Sequence, residues 1–164
     1  MSVRKIYFFL CLIVVLLLAF SLYLQYFQQV IPCPLCTMQR FTFVLIGILA
    51  AVGFLASRYF WARMIINSFL ILSSLLGILL AGRQVWLQNF PSLESNECGV
   101  TLEYMAEVLP IKELVQKILQ GSAECSVNGW EFLYLNMAEW SLIWFVLFLI
   151  VSLHLFLKEI KYSH

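Results

Sequence analysis

Four uncharged and strongly apolar runs punctuate the chain, at 6–24, 41–57, 64–82 and 140–157, with lengths of 19, 17, 19 and 18 residues. A hydrocarbon core about 30 Å thick is crossed by roughly 17 to 25 apolar helical residues, so each run is long enough to span it. A backbone in lipid has to satisfy its own hydrogen bonds, which predicts a helix for each run rather than an open strand. All four Pro residues fall outside the runs. The spans are expected at about 6–24, 37–57, 64–82 and 140–157, with loops 25–36 and 83–139 on one side of the membrane. The predicted fold class is therefore all-α, an integral membrane four-helix bundle forming a single domain over residues 1–164.

One polar stretch has a helical pattern of its own. In the second of these loops Ile111, Leu114, Val115, Ile118 and Leu119 recur at i, i+3, i+4, i+7 and i+8, and Lys112, Glu113, Gln116 and Lys117 take the opposite face. Pro110 suits the first turn of such a short amphipathic helix and Gly121 its end. With no globular core beneath it, its apolar face is expected on the membrane surface or the outer end of the bundle; burial by ordinary loop folding is the alternative.

Composition sharpens the class. Of 164 residues 63% are hydrophobic and 12% charged, against roughly 45 to 50% and about 25% in soluble domains. Aromatic residues at 16%, with only four Pro and seven Gly, exclude disordered and collagen-like chains. The net charge of +1 says little, but its distribution orients the chain. Arg4, Lys5, Arg58, Arg63, Lys158 and Lys161 flank one set of span ends against a single acid, Glu159, whereas segment 83–139 carries three basic residues against eight Glu. Short cytoplasmic loops collect Lys and Arg, so both termini are expected in the cytoplasm and the two other loops on the opposite side. Tyr23, Tyr26, Tyr59, Trp61, Trp86, Trp130 and Trp140 fall near span ends, as an interfacial aromatic belt would place them. The first run also admits reading as a cleaved secretory signal with Ala19-Phe20-Ser21 at the cut, although its length exceeds the roughly 7 to 15 residues of a signal core.

The candidate chemistry is in the cysteines. Four of five, Cys33, Cys36, Cys98 and Cys125, lie in the two outer loops, which points to an oxidising compartment; Cys11 sits mid-span as a small apolar residue. Cys33 and Cys36 form a C-x-x-C at the entrance to the second helix, where the amides and dipole of a helix start stabilise a thiolate and raise its reactivity. Arg40 stands four residues after Cys36, on the same face one turn on. A charge there is expensive unless a thiolate or a polar cofactor headgroup compensates it, or unless it snorkels to the interface. Zinc shares the C-x-x-C spacing, and Cys98 with Cys125 would have to complete such a site; no metal is expected. A static Cys98–Cys125 bridge is a further alternative. The redox reading uses both pairs, since thiol–disulfide exchange passes two electrons from one pair to the other. With no Rossmann, haem or iron–sulfur motif, a lipid-soluble acceptor is the simplest sink.

Four spans, CPLCTMQR at 33–40, a cysteine pair in the second outer loop, and WEFLYLNMAEW at 130–140 leading into the last helix together resemble the bacterial DsbB family over nearly the whole chain. Vitamin K epoxide reductase-like proteins combine similar parts in the opposite order, loop pair first. The resemblance implies a multi-pass protein of the bacterial inner membrane, a thiol:quinone oxidoreductase that supports disulfide bond formation. It implies that Cys98 forms a mixed disulfide with a periplasmic DsbA-like thioredoxin-fold carrier, and that Cys125 passes the reducing equivalents to Cys33. Cys36 as thiolate then meets a quinone, ubiquinone or menaquinone, with Arg40 stabilising the charged pair. Gln84 and Arg83, near the outer end of the third helix, are expected as quinone contacts, Gln84 standing near a place where several family members are expected to carry histidine. The expected partners are the carrier, the membrane quinone pool and the bilayer, with no nucleic acid. The rival class is a small membrane scaffold or transport subunit whose disulfides are purely structural.

Overall fold

A computed structural model of the protein describes residues 3–27, 33–89, 110, 131–132 and 134–163. Cys98, Cys125 and the amphipathic stretch 111–119 lie outside the described residues. Within them the chain forms four long helices, α1 (Val3–Phe27), α2 (Pro34–Leu55), α3 (Phe60–Asn89) and α4 (Met137–Ser163), and a short hairpin of β1 (Glu131–Phe132) and β2 (Leu135–Asn136) just before α4. All four helices are long and apolar enough to cross a membrane. The chain is thus an all-α membrane protein with a minor hairpin that periodicity did not announce.

The helices outrun the apolar runs that predict them. At 1.5 Å per residue the 30 residues of α3 extend about 45 Å, well beyond a hydrocarbon core of about 30 Å. A charge ends an apolar run but not a helix, and α3 continues past Arg83 for nearly two further turns. At its other end α3 follows α2 through a tight connection, in which Ala56 N–H donates to Val52 O at 2.8 Å and Tyr59 N–H to Ala56 O at 3.0 Å.

Burial is inverted relative to a soluble bundle. Large apolar side chains such as Phe8, Leu16, Phe41, Leu79 and Leu157 are exposed along the outside, while Gln39, Thr42, Asn67, Ser73, Ser74, Gln84, Ser152 and Glu159 are buried. Lipid solvates leucine as well as protein does, so helices in a membrane associate through close packing and internal polar contacts. Several hydroxyls turn back on their own helix, Ser74 to Leu70 O at 2.8 Å and Ser152 to Phe148 O at 2.7 Å. Packing is closest where α3 meets α4. A methyl group on Gly77 would lie 2.3 Å from the Phe145 ring, which itself stacks on Phe43 with centroids 4.2 Å apart. Glycine is required there because any Cβ would displace a ring already held on its other face.

The end of the bundle away from the cysteines is tied by polar pairs. Tyr7 Oη donates to Asn67 Oδ1 at 2.8 Å, joining α1 to α3, and Arg63 Nη2 meets Glu159 Oε2 at 2.8 Å, joining α3 to α4. Glu159 stands alone among bases by charge count, yet it is buried and paired with one of them. Removing one partner of a buried pair leaves the other charge uncompensated. Glu159→Ala is expected to lower stability by about 3 kcal/mol, read as the unfolding midpoint in detergent. The double substitution Arg63→Met with Glu159→Leu is expected to recover most of that loss, whereas equal instability of the single and double variants contradicts the pairing.

Candidate redox site

The start of α2 builds the site. Pro34 occupies the first turn, where its missing N–H is no loss and its fixed φ suits the helix. Cys33 is the N-cap, with φ −68° and ψ 163°, and its sulfur accepts from the backbone N–H of Cys36 at 3.3 Å. A thiol here does the work usually left to Ser or Asp, satisfying an amide that the helix cannot. Thr37 closes the turn, its N–H and Oγ1 both donating to Cys33 O, at 3.0 and 3.2 Å.

The two cysteines face different surroundings. Cys33 is buried with Leu35 and Leu87, an apolar patch between the start of α2 and the far end of α3. Cys36 is half-buried and lines a cavity of about 440 Å³. The Cys33 thiol donates to Cys36 Sγ at 2.9 Å, and Gln84 Nε2 donates to the same sulfur at 3.0 Å. Gln84 is held in turn by Gln39, whose Nε2 donates to Gln84 Oε1 at 2.7 Å. The overrun of α3 beyond its apolar run is what brings Gln84 to the C-x-x-C.

Three helices wall the cavity. From α2 come Cys36, Gln39, Arg40 and Phe43; from α4 come Met137, Trp140, Ser141 and Trp144; and α1 contributes Leu17, Leu18, Phe20 and Ser21. The α2 and α4 sets each follow i, i+3, i+4, i+7, so each is one continuous helix face. The face of α4 is aimed by a reciprocal cap, in which Asn136 Oδ1 accepts from the Glu139 N–H at 2.9 Å and Glu139 Oε2 from the Asn136 N–H at 2.8 Å. The hairpin ahead of it turns at Tyr134, fully exposed and left-handed at φ 63°.

Arg40 reaches across to the end of α1, where Nη1 donates to Gln25 Oε1 and Nη2 to Ser21 O at 3.5 Å. A side-chain amide oxygen and a backbone carbonyl of α1 thus partner the guanidinium. Arg83 lies half-buried on α3, and neither it nor Gln84 is among the residues lining the cavity. Cys33, Cys36, Arg40 and Gln84 are thus brought together, while Cys98 and Cys125 lie outside the described residues. Charge and thiol chemistry did not single out Gln39. The available signal was its place between Cys36 and Arg40 on the face that continues to Phe43.

A cysteine pair at a helix start, with one member opening on an apolar cavity inside a four-helix membrane bundle, is the arrangement of a membrane oxidoreductase. The family model for disulfide bond formation protein DsbB matches residues 3–155. Among the relatives, each named disulfide bond formation protein B, that of Azoarcus sp. (strain BH72) is 42% identical over 127 residues, covering 77% of this chain and 76% of that protein. That of Marinobacter nauticus is 34% identical over 159 residues, covering 97% and 95%, and that of Acinetobacter baylyi is 38% identical over 146 residues, covering 87% and 84%. The chain belongs to the DsbB family, and its role is in disulfide bond formation as a multi-pass membrane oxidoreductase.

Proposed function

We propose that the protein is a thiol:quinone oxidoreductase that reoxidises a periplasmic DsbA-like dithiol carrier and passes the electrons to a membrane quinone. The observation that carries this reading is the opening of Cys36 onto an apolar cavity whose wall also holds Arg40. The residues present fit a quinone. At about 440 Å³ the cavity falls within the roughly 300 to 1,000 Å³ usual for small-molecule sites. Its aromatic and aliphatic walls suit a flat ring and an apolar tail, and Arg40 and Gln39 supply N–H donors for ring carbonyls. A bound quinone supplies a sink for two electrons and two protons.

The protein's own part is a sequence of sulfur exchanges. A carrier thiolate attacks Cys98 Sγ in the Cys98–Cys125 disulfide, forming a mixed disulfide and releasing Cys125 as thiolate; the carrier's second thiol then displaces Cys98, and the carrier leaves oxidised. Cys125 attacks Cys33 in the Cys33–Cys36 disulfide and releases Cys36 as thiolate, after which Cys98 attacks Cys125, restores the loop disulfide and releases Cys33. The Cys33–Cys36 pair now holds the two electrons, and Cys36 faces the cavity. The helix start, the Cys33 thiol and Gln84 support negative charge on Cys36, and Arg40 complements it from the next turn.

Topology agrees with this scheme. The end of α1, the start of α2, the end of α3 and the start of α4 meet at the site, which supports reading loops 25–36 and 83–139 as lying on one side. The basic span ends at the other side support a cytoplasmic reading of that side and a periplasmic one of the cysteines, in a bacterial inner membrane.

Cys36→Ser is expected to abolish quinone reduction while leaving Cys98 able to trap the carrier as a mixed disulfide on a non-reducing gel; normal turnover in this variant would overturn the assignment. For Arg40→Ala, loss of a hydrogen bond from a charged donor worth about 1.5 to 3 kcal/mol predicts a rise of roughly 10- to 100-fold in the apparent KM for quinone. The KM for the carrier is expected to stay put, and an unchanged quinone dependence would return Arg40 to a purely structural role.

A further inference from the structure

A primary amide presents two nearly isosteric ends of opposite character, an acceptor and a donor. At Cys36 the end that meets the sulfur decides the sign of the effect. A donor favours the thiolate and an acceptor disfavours it. Gln84 presents Nε2 to Cys36 Sγ at 3.0 Å, and nothing in its own side chain makes that choice. Its partner Gln39 biases that choice. Gln39 Nε2 donates to Gln84 Oε1 at 2.7 Å, so with the Gln39 amide in place a reversal of Gln84 alone would set two NH2 groups against each other and a carbonyl oxygen against the sulfur. Both glutamines are buried, each 3% exposed, so an amide left unpaired there is costly.

We propose that Gln39 is a positioning residue for the redox chemistry: it locks the Gln84 amide in the orientation that donates to Cys36 and thereby favours the Cys36 thiolate. This rests on the reading of Cys36 as the cavity-facing thiolate. Gln39 and Gln84 form a relay running from α2 to α3 and back to the cysteine on α2, across 45 residues of sequence. Neither amide titrates in the physiological range, so the relay supports the anion without a proton of its own to gain or lose. Gln39 also lines the cavity, which gives the thiol and a bound ring one shared neighbour.

The test uses the reduced full-length protein in detergent without quinone, with alkylation of Cys36 followed against pH by peptide mass spectrometry. Gln84→Met is expected to move the half-maximal pH of alkylation upward by about one unit, a tenfold loss of thiolate at a fixed pH below it. Gln39→Met, which keeps a straight side chain but no donor, is expected to move it in the same direction by a smaller amount. The double variant is expected to match Gln84→Met alone, because Gln39 acts only through Gln84. An unmoved profile in Gln39→Met, or a double variant equal to the sum of the singles, would overturn the proposal. Gln39→Glu is the second arm. A carboxylate only accepts, so it turns the Gln84 amide round, and its upward shift is expected to be larger with Gln84 present than in the Gln84→Met background; equal shifts in the two backgrounds would also overturn it. Quinone reduction is read separately through Cys36→Ser, so either reading can fail while the other stands.

Discussion

A sulfur anion at the edge of a hydrocarbon layer needs fixed donors in place of water, and in the proposed function that constraint falls on Cys36. The helix start contributes its dipole, Cys33 a thiol proton, and Gln84 an amide N–H from a different helix. None of these donors depends on a mobile solvent molecule. Arg40 adds a full positive charge on the cavity side, held by acceptors at the end of α1. Four helix ends therefore have to meet at one place, and the bundle is the scaffold that makes them meet.

The two ends of that scaffold divide the labour. At the end far from the cysteines, Tyr7 with Asn67 and Arg63 with Glu159 tie α3 to both α1 and α4. In mid-bundle, Gly77 admits the Phe145 ring and brings α4 close to α3. At the site end, by contrast, α1, α2 and α4 stand around a cavity. Rigid contacts at one end and in the middle leave the opening at the other, where the proposed chemistry needs an apolar ring beside a thiolate.

Much of the fold was legible as apolar runs, because lipid imposes helices of known length. The C-x-x-C at a helix entrance and the arginine one turn on were legible too, since both are local in sequence. What escaped was whatever depends on two distant segments meeting. Arg83 ended an apolar run, so the continuation of α3 to Asn89, and with it the contact of Gln84 with Cys36, was not visible. Glu159 read as one acid among bases until burial placed it against Arg63. Gln39 looked like an ordinary polar residue because its partner is 45 positions away. The hairpin before α4 is two residues per strand, too short for any period to register.

The most direct measurement places purified protein in lipid nanodiscs with a reduced periplasmic dithiol carrier and either ubiquinone or menaquinone, and follows carrier thiols and quinone absorbance together. The account predicts that one quinone is reduced for each disulfide formed in the carrier. Carrier oxidation without quinone reduction, or cysteines that keep one oxidation state throughout the reaction, would contradict it.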